Sequence, residues 1–254
     1  MKSSAHPLLE VCCASPDFAV EAESAGADRI ELCANLVEGG TTPSAGAVAI
    51  ALERLSVPVM VMIRPRGGDF LYTSSEVDVM LRDIDAAGRA GAPGVVFGML
   101  RPDGTVDRDL TERLIAAARP MEVTFHRAFD LSRDLVESLD ALLELGVDRV
   151  LTSCGRASVA DGLDVLASLV ERAGDELIVM PGGGIREENV GRVLDVSGVR
   201  EVHIGASRWR PSDMTYCVDG VPMGSAYEPD ECVVEAADTD RVTGVARRMK
   251  GVSA

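Results

Sequence analysis

The sequence has little of what membrane proteins and nucleic-acid-binding proteins need. No apolar run approaches the roughly 20 residues of a transmembrane helix, and acidic residues outnumber basic ones so far that the net charge is -16. An acidic surface of this kind repels phosphate backbones and anionic lipids. We therefore expect neither a nucleic acid nor a membrane as the main partner.

The sequence also lacks the features of a secreted protein. Its six cysteines are spread over 254 residues and form no Cys-x-x-Cys pair. Secreted disulfide scaffolds are short and have closely spaced cysteines. Residues 1–7 contain one lysine and no long apolar segment, which makes a poor signal peptide. We expect the reducing cytoplasm as the compartment.

Aromatic residues are scarce at 4%, but hydrophobic residues make up 46% of the chain, which is enough for a large core. Apolar runs of strand length alternate with segments of helical period. The runs cover residues 8–13, 28–33, 57–64, 94–99, 121–126, 148–153, 177–181 and 201–205. Eight such units predict an α/β fold, a (βα)8 barrel of TIM type. A doubly wound sheet is less favoured, because no glycine-rich nucleotide turn follows an early strand.

The predicted barrel core covers residues 8–208. The following residues, 209–238, contain several glycines and prolines without a clear period, which predicts an irregular loop or lid. Residues 239–250 have the pattern of a closing helix. We see no linker and predict a single domain over residues 1–254.

One short stretch occurs twice, as Glu10-Val11-Cys12 and as Glu31-Leu32-Cys33. Side chains alternate between the two faces of a strand, so within each copy the Glu and the Cys share a face. The outward face of a barrel strand lies under helices and is apolar. The apolar residues Val11 and Leu32 therefore face outward, and both Glu-Cys pairs face inward. If the two strands pair in register, one wall carries two carboxylates and two thiols.

The same argument places Arg64, His126 and His203 inside the barrel, near the carboxyl ends of their strands. His126 is a candidate general base or metal ligand. Such a polar interior indicates a pocket. The alternative is a purely structural, ion-paired interior in which Arg64 holds Glu10 and Glu31, since buried charges are normally paired.

Three glycines, Gly182, Gly183 and Gly184, follow the seventh predicted strand and precede a helix. In barrels, backbone N–H groups at this place commonly bind phosphate. The alternative is a tight turn that needs positive φ angles. The pattern is compatible with both readings.

Cys12 and Cys33 would lie on neighbouring strands, whose backbones are roughly 4.8 Å apart. At that spacing both sulfurs can bind one Cu(I), the soft ion that thiolates select. The same spacing also fits a disulfide bond, or two small buried side chains without further function.

Several long motifs of the sequence resemble the CutC copper homeostasis family. They cover residues 9–12, 25–33, 38–44, 62–70, 124–130, 150–153 and 180–184. The resemblance extends from about residue 8 to residue 208. It implies a cytoplasmic (βα)8 barrel, usually oligomeric, that handles Cu(I). The family's proposed copper ligands correspond to Cys12 and Cys33 here.

Two functions follow. The first is a copper homeostasis protein that binds Cu(I) through thiolates at the barrel mouth, with Cys12 and Cys33 as ligands and no other cofactor. The alternative is a barrel enzyme for a small anionic or phosphorylated metabolite. Its candidate catalytic residues are Glu10, Glu31, Arg64 and His126, and its anion-binding residues are Gly182, Gly183 and Gly184. In either case we expect a homo-oligomer, with a dimer favoured.

Overall fold

The computed structural model describes residues 6–218, 221 and 231–251, and the core of this part is eight alternating strand and helix units. The strands are β1 Leu8–Cys13, β2 Arg29–Leu32, β3 Val59–Met62, β4 Gly94–Phe97, β5 Glu122–Phe125, β6 Arg149–Thr152, β7 Ile178–Pro181 and β8 Glu201–Gly205. The helices are α1 Pro16–Ser24, α2 Ala45–Arg54, α3 Ser74–Ala90, α4 Arg108–Ala118, α5 Leu135–Leu145, α6 Leu163–Ala173, α7 Glu187–Ser197 and α8 Thr239–Gly251. Short 3-10 turns occupy Leu36–Glu38, Arg127–Leu131 and Val159–Asp161.

The eight strands form one parallel sheet in the order β7-β6-β5-β4-β3-β2-β1-β8. The sheet curls until β7 lies beside β8, so the barrel is nearly closed. The prediction of a TIM-type barrel is thereby confirmed. Among the described helices, none is long and apolar enough to cross a membrane.

The helices begin and end where the sequence has capping residues. Ser15 caps α1, whose first residue is Pro16, and Ser44 caps α2. Several helices end at a glycine in the left-handed region, for example Gly91 after α3 and Gly146 after α5. A glycine there carries no Cβ penalty and lets the chain turn into the next strand.

The two faces of the strands differ as alternation predicts. Val11, Ile30 and Leu32 pack in the large apolar layer between the sheet and the helices. Inside the barrel, Cys12 and Cys33 pack with other apolar side chains, namely Met60, Met62 and Val96. The first residues of β2, β6 and β8, which are Arg29, Arg149 and Glu201, form a charged layer at the amino end of the barrel.

The segment predicted as an irregular loop or lid contains two further strands. Strands β9 (Ser207–Pro211) and β10 (Val233–Ala237) pair in antiparallel fashion and form a ribbon, so the prediction of a wholly irregular segment was wrong. Cys217 and Cys232 form a disulfide bond in this region. Residues 219–220 and 222–230 of the predicted lid lie outside the described residues.

Candidate functional site

A cavity of about 300 Å³ opens at the carboxyl ends of the strands. It brings together six residues that the sequence singled out, and these are Cys12, Glu31, Arg64, His126, Gly183 and His203. Glu10 lies beneath, bonded to His203. In barrel folds this end carries the binding and catalytic residues. The cavity is therefore the candidate site.

The two Glu-Cys strands are parallel but staggered. Cys12 lies opposite Glu31, and Glu10 lies opposite Arg29, so the in-register pairing considered from the sequence was wrong by two residues. The thiols still meet, because Cys33 follows β2 and its Sγ atom lies 3.6 Å from the Sγ atom of Cys12. Both thiols are free, so they form no disulfide.

The two thiols are held in their protonated form. Cys12 donates a hydrogen bond to Cys33, which in turn donates to Glu31 at 3.6 Å. The hydrogen bond with Cys33, together with burial, raises the pKa of Cys12 well above its ordinary value. The hydrogen bond from Cys12 lowers the pKa of Cys33, but burial and the Glu31 carboxylate raise it to about 12.

His203 joins the two carboxylates of the site. Its Nδ1 atom lies 2.8 Å from Glu10, and its Nε2 atom lies 3.9 Å from Glu31. Burial alone would lower the pKa of His203, but the carboxylates of Glu31 and Glu10 raise it well above its ordinary value. Burial raises the pKa of Glu31, and the nearby His203 only partly offsets this effect. The Oε1 atom of Glu31 is buried and has no hydrogen-bond partner among the described residues.

Two arginines that the sequence analysis did not assign to the site form ion pairs with the buried glutamates beneath the cavity. Arg29 bridges Glu10 and Glu201, and Arg149 Nε donates to Glu201 at 2.6 Å. Burial alone would raise the pKa of Glu10, but Arg29 and His203 lower it to about 2. The sequence signal was present, because both arginines follow an aspartate at the start of a repeated strand phrase and alternation turns them inward.

Arg64 does not hold Glu10 and Glu31, so the alternative of an interior in which it pairs with these acids was wrong. Its Nη1 atom donates to the carbonyls of Glu38 and Gly40 at 2.7 and 2.9 Å, and its Nη2 atom donates to the carbonyl of Gly68. The guanidinium lies 4.9 Å from the ring centre of Phe70. Arg64 is 5% exposed, and no carboxylate of the described chain forms an ion pair with it. Its Nε atom is also without a partner there.

His126 is a neutral donor at the cavity wall. Its Nδ1 atom accepts a hydrogen bond from the N–H group of Ala128 at 3.2 Å, so the ring proton is assigned to Nε2. Burial and the neighbouring Arg64 lower the pKa of His126 to about 3. The Nε2 atom is buried and has no partner among the described residues. A neutral imidazole of this kind donates a proton in a hydrogen bond and is a poor base at pH 7.

Of the three glycines after β7, only Gly183 lines the cavity. The N–H group of Gly182 donates to the carbonyl of Thr152 at 2.8 Å, and a Cβ atom at Gly184 would clash with Ser158. Helix α7 begins only at Glu187, so the glycines do not open it directly. They form a tight turn that requires positive φ angles, which are +89° at Gly183 and +73° at Gly184.

Arg127 stands beside this turn. Its Nη1 atom lies 3.6 Å from the position of a Cβ atom at Gly183. Its Nε atom donates to Asp130 at 2.8 Å, and its Nη2 atom donates to the hydroxyl of Ser153 at 2.7 Å. Asp130 also accepts hydrogen bonds from Thr152 and from backbone N–H groups, which fixes its position and hence that of Arg127.

This architecture agrees with comparisons to known proteins. A model of the CutC family matches residues 7–208. The chain belongs to the CutC family. The human copper homeostasis protein cutC homolog is 47% identical to it over 92% of this chain and 86% of the human protein. The family expectation from the sequence motifs is thereby confirmed, and with it the assignment to copper homeostasis at the level of the family.

Solved structures agree with this assignment to the CutC family. The CutC copper homeostasis protein of Streptococcus agalactiae superposes with a TM-score of 0.73 at 33% identity and covers 78% of this chain and 98% of its own. N-(5'-phosphoribosyl)anthranilate isomerase of Pyrococcus furiosus superposes with a TM-score of 0.58 at 17% identity over 97% of this chain and 100% of its own. The second likeness shows the barrel fold alone.

Proposed function

We propose that the protein binds one Cu(I) per chain through the thiolates of Cys12 and Cys33. The observation that carries the proposal is the distance of 3.6 Å between their Sγ atoms, beside an open cavity. Two sulfurs so close together can bind one ion without movement of the backbone. Membership of the copper homeostasis family gives independent support.

The other side chains around the thiols favour a soft ion. The thioether side chains of Met60 and Met62 pack against Cys12 and Cys33, and Met62 also lines the cavity. Thiolates and thioethers select Cu(I), whereas Mg²⁺ and Ca²⁺ need several oxygen ligands. The ligand atoms of Glu31 and both cysteines lie within 4.8 Å of one another, so a carboxylate oxygen is also in reach. Zn²⁺ is therefore the ion that a test must distinguish from Cu(I).

An anaerobic titration of the reduced protein with Cu(I), in the presence of a competing chelator, tests the proposal. We expect one equivalent to bind, and Cys12→Ser and Cys33→Ser each to abolish tight binding. The same titration with Zn²⁺ should give a weaker complex. The proposal fails if both single variants bind Cu(I) as tightly as the natural protein.

Cys13→Ala is the matched control. Cys13 is the next residue after Cys12, but it is fully buried and packs in the outer layer towards the helices. Its removal should leave the affinity for Cu(I) unchanged. If Cys13→Ala lost binding as well, the effect of the other variants would reflect damage to β1 and not the loss of a ligand.

We also propose that the protein acts in the cytoplasm as a homo-oligomer, preferably a dimer. Four of the six cysteines, Cys12 and Cys33 among them, are free, which favours a reducing compartment, whereas the Cys217–Cys232 disulfide is the feature that speaks against it. Light scattering of the purified full chain measures the oligomeric state. A monomer at micromolar concentration would contradict this part of the proposal.

Catalysis on a small anionic metabolite is the second candidate function. It is favoured by two buried polar atoms that lack a partner in the described chain, Glu31 Oε1 and His126 Nε2, which belong to residues that line the cavity. In that function Glu31 would accept a proton, while His126 would donate a hydrogen bond to a substrate oxygen. Turnover of a panel of small phosphorylated and carboxylated compounds, lost in Glu31→Gln, tests it. Turnover that survives in Glu31→Gln would contradict the assigned role.

A further inference from the structure

We propose that a wall of the cavity beyond the cysteines, formed by residues that follow three other strands, binds the oxyanion group of a small organic metabolite, a phosphate monoester or a carboxylate. We call this wall the donor wall, and it consists of Arg64, His126, Arg127 and Gly183. Cys12 lies on β1 and Cys33 follows β2, whereas the residues of the donor wall follow β3, β5 and β7. This inference does not depend on copper binding; it rests on the second candidate function and names the class of ligand that this site takes.

The first argument is the charge of Arg64. A buried charge is normally paired, because removing an ion from water is costly unless an opposite charge compensates. Arg64 is 5% exposed, yet in the described chain its guanidinium donates to backbone carbonyls and lies over the face of Phe70, and it forms no ion pair with a carboxylate. By contrast, the buried arginines of the charged layer, Arg29 and Arg149, are both paired with carboxylates. Arg64 thus carries a positive charge that an anionic ligand would balance.

The second argument is the free donor of His126. Its Nε2–H group is buried at the cavity and has no acceptor among the described residues. An unsatisfied buried donor is costly, so native proteins keep few of them outside binding sites. Phe70 contacts both groups. The centre of its ring lies 4.9 Å from the centre of the His126 ring, and it also lies 4.9 Å from the Cζ atom of Arg64. The two donors are therefore held in fixed positions on one wall.

The third argument is the pair formed by Arg127 and Gly183. Asp130 and Ser153 occupy two nitrogens of Arg127, and its Nη1 atom has no partner in the described chain. The N–H group of Gly183 also has no acceptor there, and its φ of +89° belongs to a turn whose N–H groups favour anions. A side chain at Gly183 would fill the space next to Arg127, with Cβ only 3.6 Å from its Cζ atom. Glycine keeps this space open.

The size of the cavity restricts the ligand. A volume of about 300 Å³ lies at the lower end of the range for small-molecule sites, roughly 300–1,000 Å³. A nucleic acid or a protein segment does not fit. The chain as a whole has a net charge of -16, so a cavity wall with two arginines, of which Arg64 has no carboxylate partner in the described chain, is a local feature and does not follow from a generally basic surface.

Calorimetric titration of the copper-free protein at low ionic strength tests the proposal. The probes are glycerol 3-phosphate, glycerate and glycerol, which share a carbon chain but differ in charge and in the anionic group. We expect saturable binding of glycerol 3-phosphate or of glycerate and none of glycerol. The stronger of the two anions identifies the source of the oxyanion. No saturable binding of either anion, or equal binding of glycerol, overturns the proposal.

Variants identify the site. Arg127→Gln and Arg64→Met should each weaken anion binding about ten-fold or more, because each removes a charged hydrogen-bond donor. Arg127 is half exposed, so its variant keeps the test valid if Arg64→Met fails to fold.

Arg89→Gln, which breaks an exposed ion pair on α3, is the matched control and should bind normally. Unchanged binding in Arg127→Gln overturns the assignment to the donor wall. Cys12→Ser should retain anion binding, which separates this test from that of copper.

Discussion

The Sγ atoms of Cys12 and Cys33 lie 3.6 Å apart although the two residues are not partners across the strands, since Cys12 pairs with Glu31. Barrel closure requires a stagger between strands. The stagger here brings the thiols together diagonally, at the level of the cavity. The carboxylate of Glu31 comes to lie beside both thiols for the same reason.

Copper binding should depend strongly on pH. Both thiols must lose their protons to bind Cu(I), and the pKa of Cys33 is about 12. Below that pKa, each proton released makes the affinity rise about ten-fold per pH unit, so two protons give up to about 100-fold. Competition titrations at pH 6, 7 and 8 measure this slope. An affinity that does not change with pH would show that the thiols are not the ligands.

His126 should make the protein less stable in mild acid. The pKa of His126 is about 3 in the folded protein and ordinarily 6.5. Between pH 3 and pH 6.5 the imidazole is therefore protonated in the unfolded chain but not in the folded protein. The free energy of unfolding therefore falls as pH decreases from 6.5, by about 1.4 kcal/mol per pH unit from this residue. Urea unfolding of the natural protein and of His126→Asn at pH 7, 5.5 and 4.5 measures the difference. Parallel losses in the two proteins would contradict the buried neutral state.

Removal of Arg29 should strongly destabilise the barrel. Arg29→Met leaves Glu10 and Glu201 without a shared cation, and breaking a buried pair costs about 3–5 kcal/mol. Arg54→Met is the control, because it breaks an exposed pair with Asp17 and should cost less than about 1 kcal/mol. Urea unfolding at pH 7 measures both. Equal effects of the two substitutions would mean that the charged layer contributes little to stability.

Two glycines of the cavity should respond differently to alanine. Gly183 has a φ of +89°, and its added Cβ would lie 3.1 Å from the Cβ of Ser153, so Gly183→Ala should cost about 1–2 kcal/mol. An added Cβ at Gly205 meets nothing within 4 Å, and Gly205→Ala should be tolerated. Thermal unfolding of the two variants tests the contrast. It would be refuted if Gly205→Ala were the less stable protein.

The sequence alone was sufficient for the strands and their inward faces. Alternation depends only on the residues of one strand, so Glu10, Glu31, Arg64 and His203 could be placed inside without knowledge of the neighbours. The helices were equally accessible, since caps such as Ser15 and glycines such as Gly146 mark their ends.

The pairing of side chains across strands could not be predicted. It depends on the stagger of the sheet, which no single strand encodes. For this reason the sequence left open an interior in which Arg64 holds the acids, whereas Arg29, two residues before Glu31, holds Glu10. The ribbon of β9 and β10 was missed because β9 is exposed throughout and shows no apolar alternation.

The charged layer closes the interior of the barrel at its amino end. Arg29, Arg149 and Glu201 are buried and bonded across the interior, so they separate the cavity from the opposite face. The cavity is thus closed at its inner end and does not form a channel through the barrel. A ligand of the cavity therefore enters and leaves by the same opening, and if that ligand is the proposed Cu(I), its donor and its acceptor must approach the same rim in turn.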